Sequence, residues 1–285
     1  MGRVPRNCCI FAVQNKTTRS VKIKQVLSAL EQFAPLPLQE SWDNAGLQLG
    51  LTEAEVSGAL LCLDVNEAII DEAIRKGCNL IVSHHPLLFR GLKQISGADY
   101  VQRCVIKAIK HDIVIVSMHT NMDNAQGGVN FKIAERLGAT VLNDSVATVL
   151  NDSVAESEKT PLVLAELPSP MDARTFIGLV KKQFHCECAQ CNELLERPIR
   201  KVAICGGAGD FLLPDAISQG ADAFITGEMH YHQYFGTEQQ IQICVIGHYQ
   251  SEQFTSEIFR DIIQKDCPGV RTEIAETNTN PIVYI

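Results

Sequence analysis

Apolar and polar positions alternate along the chain in blocks that switch between helical and strand spacing. From Lys22 to Phe33 the apolar residues Ile23, Val26, Leu27, Leu30 and Phe33 recur at the interval of one helix face. Gly58 to Val65 (GALLCLDV) reads as a strand, and Asn66 caps a helix to about Lys76 that Gly77 stops. Asn79 to Ser83 is the next strand. Asp99 to Lys110 is helical, Ile113 to Met118 is an unbroken apolar strand, and Gly128 to Leu137 is helical up to Gly138. A second round follows. Strands are expected at Leu162 to Glu166, Lys201 to Cys205, Ala223 to Thr226, Ile241 to Ile246 and Pro281 to Ile285, and helices at Asp172 to Phe184, Leu212 to Gln219 and Glu252 to Lys265. Strands alternating with helices predict an α/β sheet with covering helices. The strands lack polar alternation, so both their faces should be buried.

At 285 residues the chain can bury one large core or two smaller ones. Its composition, 46% hydrophobic and 20% charged, is that of a soluble globular protein, and a net charge of −8 argues against nucleic acid as a partner. No apolar run approaches a membrane span. The 11 cysteines are scattered, several inside apolar runs, which fits a reducing cytoplasm and cysteine used as a small apolar residue. Met1 to Ser20 holds Arg3, Arg6, Lys16 and Arg19 and no acid. It reads as a disordered extension, with a faint likeness to a transit peptide. Between the halves, TVLNDSVA at Thr140 to Ala147 is repeated unchanged at Thr148 to Ala155. Two copies of eight residues are too few for a solenoid, and a local duplication in a tolerant loop is the simpler account.

The candidate chemistry sits at strand ends. Ser83-His84-His85-Pro86 closes one strand. His119 closes the next, with Asp123 four residues on, and His248 and Glu252 follow another in GHYQSE. A parallel sheet would bring these ends to one edge. Neutral imidazoles hold ions and carboxylates offset their charge. His84, His85, Asp123, His248 and Glu252 are too many for one tetrahedral zinc, but suit two bridged divalent ions. The absence of thiolate fits Zn, Fe, Mn, Ni or Co without choosing among them. Each residue also has a plainer reading: a backbone-satisfied turn for the His pair, a helix cap for Asp123, and a first-turn acid for Glu252.

The segments SHHPLLF, HTNMDNAQGGVN, CGGAG, ITGEMHYH and GHYQSE, in that order, resemble the NIF-three-like family, whose members are often labelled GTP cyclohydrolase I type 2 homologues. The resemblance runs from about Val21 to the end, in wording closest to bacterial members of Bacteroidetes type. It implies two interlocked α/β subdomains in three α/β/α layers, here 21–140 and 161–285 joined by a duplicated linker at 141–160. It also implies a homohexameric ring and two metal ions per chain, held by His84, His85, Asp123, His248 and Glu252. The inserted domain common between the halves of such chains has no room here. Members of this type tend to begin near Val21, so residues 1–20 are expected to be an upstream extension. Mass spectrometry of the native N-terminus checks this, and an intact Met1 or Gly2 would refute it.

Glu228, which occupies the family's TGE position, and His119 are expected to support the ligands or move protons. His230 and His232 read equally as surface residues. Trp42-Asp43-Asn44 is expected in a loop near the site. Gly206 to Gly209 reads as a tight turn, with phosphate binding as a lesser alternative, since it lacks the ending of a P-loop. His185-Cys186-Glu187-Cys188-Ala189-Gln190-Cys191 reads as structural, because no second Cys/His pair follows at finger spacing. Two functions are consistent with this reading. One is a metal-dependent hydrolase acting on a small nucleotide-like or phosphoester substrate. The other is a non-enzymatic metal-binding, chaperone or scaffold ring.

Overall fold

The computed structural model describes residues 20–142 and 162–285. The expectations for the extension and the duplicated linker therefore fall outside the described residues, apart from Ser20, Val141 and Leu142. Along the chain run α1 (Ile23–Phe33), β1 (Gly46–Leu49), β2 (Ala59–Cys62), α2 (Glu67–Lys76), β3 (Leu80–Ser83), α3 (Tyr100–Lys110), β4 (Val114–Ser117), α4 (Thr120–Asp123), α5 (Val129–Arg136) and β5 (Thr140–Val141). Then come β6 (Val163–Met171), α6 (Ala173–Gln183), β7 (Gln190–Cys191), β8 (Ile199–Cys205), α7 (Leu213–Ser218), β9 (Ala223–Thr226), β10 (Gln242–Val245), α8 (His248–Glu252), α9 (Thr255–Asp266) and β11 (Thr272–Ile274).

The strands form two sheets, in the orders β1-β4-β3-β2-β11 and β5-β6-β8-β9-β10-β7. In the first, β4, β3, β2 and β11 run parallel and β1 is antiparallel at the edge. In the second, β8, β9 and β10 are parallel, flanked by antiparallel strands. Alternate residues of each strand enter different cores. Leu61, Val82 and Val116 pack with α1 and α9, whereas Leu60, Ile81 and Ile115 pack with α2 and α3. The second sheet is likewise covered by α5 and α6 on one face and α7 on the other. This is the three-layer α/β/α arrangement, in two copies. The copies interlock: β5 pairs with β6 of the second sheet, while α9 packs on α1 and β11 pairs with β2 of the first.

Local chemistry explains the best-read elements. Asn66 accepts the Ile69 N–H and starts α2, and Gly77, at φ 64°, ends it in the left-handed region. Three expectations need correction. The last strand is not Pro281 to Ile285, which is exposed tail, but Thr272–Ile274, which reaches β2 directly after the turn that ends α9. The helix expected from Glu252 to Lys265 breaks at Gln253 and Phe254, so Glu252 ends α8 instead of opening a long helix. The strand β1 went unread because four residues with a polar Gln48 make a short edge strand of half-buried pattern.

The segment after β11 is held by one buried acid. Glu72 is 2% exposed and accepts bonds from the Glu276 N–H, the Thr277 N–H and the Thr277 hydroxyl, beside Lys76 at 2.9 Å. Burial pushes its carboxyl up, but these donors outweigh that and bring it down to about 2. A folded pKa below the unfolded value gives stability that is full above about pH 4.5 and lost as pH falls toward 2. Glu72→Gln is therefore expected to be less stable than the parent at neutral pH, with the gap closing toward pH 3 in denaturant titrations. A gap independent of pH would refute the ionic role.

Candidate metal centre

The five candidate ligands meet in the seam between the two sheets, not along one parallel edge as expected. His84 and His85 leave the end of β3, and Asp123 is the last residue of the short α4 after β4. His248 and Glu252 are the first and last residues of α8, which follows β10 of the other sheet. Two of the plainer readings do not hold. Asp123 caps no helix start, and Glu252 ends its helix, four residues from His248 on the same face.

The donors form two groups that share Glu252. In the first, His84 Nε2 lies 3.6 Å from Asp123 Oδ1 and 3.8 Å from Glu252 Oε1. In the second, His85 Nε2 and His248 Nε2 each lie 3.1 Å from Glu252 Oε2 and 3.2 Å from each other. Each group could hold a metal ion. The 3.2 Å separation is close to the roughly 3.3 Å expected between nitrogens on one tetrahedral ion at about 2.0–2.1 Å. Moreover, His84 Nε2 is buried without a hydrogen-bond partner. Buried polar atoms are almost always paired, so this orphan fits a ligand role.

Every histidine is oriented through its other nitrogen. Nδ1 of His84 meets the Met118 carbonyl at 2.8 Å, and Nδ1 of His85 meets Asp64 at 2.7 Å. Nδ1 of His119 meets Asp43 at 2.7 Å, and Nδ1 of His248 meets Glu228 at 2.7 Å. An acceptor at Nδ1 places that proton there and aims Nε2 into the seam, as ligating histidines require. His119 joins His84 and His85 as a further ligand-atom group.

The sequence reading missed Asp64 altogether and, for Asp43, missed its pairing with His119. Asp64 follows β2, another strand end, but its place inside the long apolar reading GALLCLDV hid it. The Thr279 hydroxyl binds its other oxygen at 2.7 Å, which ties the segment after β11 to the site. Asp43, in the loop expected near the site, also accepts the Thr120 N–H at 3.0 Å. Burial pushes its carboxyl up, but His119 and Thr120 outweigh that and hold it near 2. His230 pairs with Asp210 and His232 packs on Tyr231 and Phe235, so neither reaches the seam.

The glycine turn serves packing. Gly206, Gly207 and Gly209 give their N–H groups to Asn130, Ser251 and Thr226, which leaves no phosphate cradle at those three positions. Gly207 has φ 61°, and a Cβ there would come within 2.3 Å of Glu252 Oε1. Only glycine lets this turn pass the bridging acid. A cavity of about 520 Å³ opens over the centre. Trp42, Phe89 and Phe211 stand half-exposed or more at its walls, and no Lys or Arg lines it.

The charges are strongly coupled. Full burial pulls His84 below the ordinary imidazole value, against the opposing pull of Glu252. Burial also opposes ionisation of Glu252, but the imidazoles of His84 and His248 outweigh it and hold the carboxylate ionised. Asp123 is pushed well up by burial and by the Glu252 charge. Burial pulls His85 and His248 down, yet the carboxylates of Asp64 and Glu252 raise His85 to about 10, and chiefly Glu252 raises His248 to about 9. The metal-free centre thus carries protons that ions must displace. Metal uptake should release protons, and affinity should rise about tenfold per pH unit for each one displaced below pH 9. Calorimetry in buffers of different ionisation enthalpy checks this, and buffer-independent heats would refute it. Asp64→Asn should weaken binding by about 10–100-fold through its effect on His85.

The Duf34/NIF3 (NGG1p interacting factor 3) family profile matches residues 21–281. A GTP cyclohydrolase 1 type 2 homolog of Clostridium acetobutylicum is 33% identical over 235 residues, covering 82% of this chain and 86% of the relative. One of Campylobacter jejuni is 30% identical over 266 residues, covering 93% and 100%. Among solved structures, a hypothetical protein of Staphylococcus aureus superposes with TM-score 0.83 at 27% identity, covering 94% of this chain and all of that one. A Bacillus cereus protein related to NIF3 shares the fold at TM-score 0.80 and 22% identity, covering 94% and 100%. With its fold, its motifs and nearly its whole described length accounted for, the chain belongs to the Duf34/NIF3 family.

Proposed function

We propose that this protein is a dinuclear metal-dependent hydrolase acting on a small nucleotide-like or phosphoester substrate. The observation that carries the reading is Glu252, which turns one oxygen to each of two histidine-containing donor groups. His84, Asp123 and Glu252 would hold one ion, and His85, His248 and Glu252 the other. The N/O donor set suits Zn, Fe, Mn, Ni or Co. When bound, such ions lower the pKa of a shared water and polarise the bond under attack.

The chain's own residues supply the rest. His119, fixed by Asp43, aims Nε2 toward the ligands and is placed to carry a proton at that atom. Glu228 orients His248 from the solvent side. Trp42 and Phe89, with ring centroids 5.8 Å apart, offer a wall for a flat or apolar-bodied substrate. That open, aromatic-walled cavity favours turnover over the non-enzymatic alternative, for which filled coordination would suffice. The free thiols among the described residues fit a cytoplasmic setting, and family membership is the support for a homohexamer.

Metal analysis of the purified protein is expected to find two ions per chain, falling below one in His84→Ala or His248→Ala. Chelation should abolish hydrolysis across a panel of phosphoesters and nucleotides, and metal should restore it. Asp123→Ala should lose at least about 100-fold in turnover, the scale of losing a transition-state contact. Trp42 is the chain's single tryptophan and lies 5.9 Å from His119, so its fluorescence should change as the cavity fills. Fewer than one ion per chain, unaltered by either histidine variant, would overturn the site. Two ions without turnover of any substrate would favour the chaperone or scaffold.

A further inference from the structure

The second sheet holds a pair of thiols that the metal centre does not use. The two-residue edge strand β7 runs antiparallel to β10, and the register sets Cys191 directly opposite Cys244. Opposed residues of an antiparallel pair have Cα atoms about 4.5–5.5 Å apart and side chains on one face. That falls inside the roughly 4.4–6.8 Å span of a disulfide. Both side chains belong to the same apolar cluster, Cys244 within it and Cys191 packed against it.

Their exposure differs in a useful way. Cys244 is fully buried on the central side, whereas Cys191 is half-buried at the sheet edge. A small oxidant reaches one thiol, and the other stands behind it as a resolving partner. We propose that Cys191 and Cys244 form an oxidisable dithiol whose co-substrate is a small hydroperoxide. The Cys191 thiolate attacks the peroxide O–O bond, taking one oxygen as sulfenic acid. The other oxygen leaves as hydroxide or alkoxide and is protonated to water or alcohol. The Cys244 sulfur then attacks the sulfenic sulfur. The hydroxyl leaves with the Cys244 proton as water, and the S–S bond forms. The two thiols lose two electrons and the peroxide gains them.

The local chemistry assigns the order of attack. The S–H of Cys244 and the Lys181 ammonium draw the Cys191 thiol below the usual cysteine range, against the effect of burial. Contact with Cys191 and burial push Cys244 well above it, so Cys244 stays the neutral donor. Cys186 is a poorer resolver, because its thiol is already directed at the Cys188 and Ile246 carbonyls. Among the described residues, no group of three metal-binding side chains forms at this corner. The pair nevertheless lies close to the chemistry, since β10 runs on through Ile246 and Gly247 into His248. A bridge would pin the edge strand to the strand that delivers a metal ligand.

The test treats the full chain, carrying Cys188→Ser to remove the thiol that is exposed among the described residues, with hydrogen peroxide before alkylation and digestion. Mass spectrometry is expected to find peptides joined through Cys191 and Cys244, separated again by dithiothreitol. In Cys191→Ser the link should vanish and Cys244 should stay reduced. In Cys244→Ser, Cys191 should be trapped as sulfenic acid by dimedone. Far-ultraviolet circular dichroism confirms that each variant is folded. Oxidation of Cys191 to sulfinic acid with Cys244 present and unlinked would overturn the proposal. So would a Cys186–Cys191 link, or a Cys191 no more reactive than free cysteine.

Discussion

The structure turns on the Glu252 carboxylate, 4% exposed, in the seam between two sheets. An ionised group there costs several kcal/mol unless opposite charge lies against it. The compensation comes from both sides: His84 and His85 from the first sheet, His248 from α8 beside the second. Removing either half would take away part of the positive charge that faces this buried carboxylate. The interlocking of β5, α9 and β11 across the halves therefore has an electrostatic counterpart. The two sheets are joined by the same groups that would bind metal.

That arrangement only works because the imidazoles cannot turn away. Four rings are each held at Nδ1 by an acceptor from a different segment: the Met118 carbonyl, Asp64, Asp43 and Glu228. With Nδ1 committed, Nε2 has one direction available, and the four directions converge. The cost of crowding these nitrogens appears in the orphaned His84 Nε2 and in the short approach of His85 to His248. A folded chain that keeps such contacts without hydrogen bonds stores the mismatch for a ligand to relieve.

Much of this was legible in the chain. The five ligand candidates could be found because each stands where an apolar run stops, and backbone direction in α/β sheets turns such ends into sites. The i, i+4 spacing of His248 and Glu252 puts both on one face of α8. What stayed hidden depended on contacts between distant segments. Asp64 looked like the end of a strand that in fact stops at Cys62. Asp43 sits in a loop whose turn chemistry says nothing of a histidine 76 residues away. The division into two halves came from the family resemblance and not from periodicity, which reports that a strand is buried, not which strand lies beside it. Likewise the final residues, Pro281 to Ile285, looked like a strand but pair with no strand among the described residues, while Thr272–Ile274 does.

The cavity's charge adds an ordering to the proposed reaction. Glu40, Asp123 and Glu252 line it, and no Lys or Arg does. A phosphoester entering the centre without ions would meet the Glu252 carboxylate and the His85 and His248 imidazolium groups, whose protons already face that carboxylate. Its own charge would find no free cation, and desolvating it there would be unfavourable. With two divalent ions in place, the same cavity becomes a net cationic floor beneath aromatic walls. Metal loading therefore precedes substrate binding in this reading. The site would select anionic substrates through its ions and flat ones through Trp42 and Phe89, without a lysine or arginine in its lining.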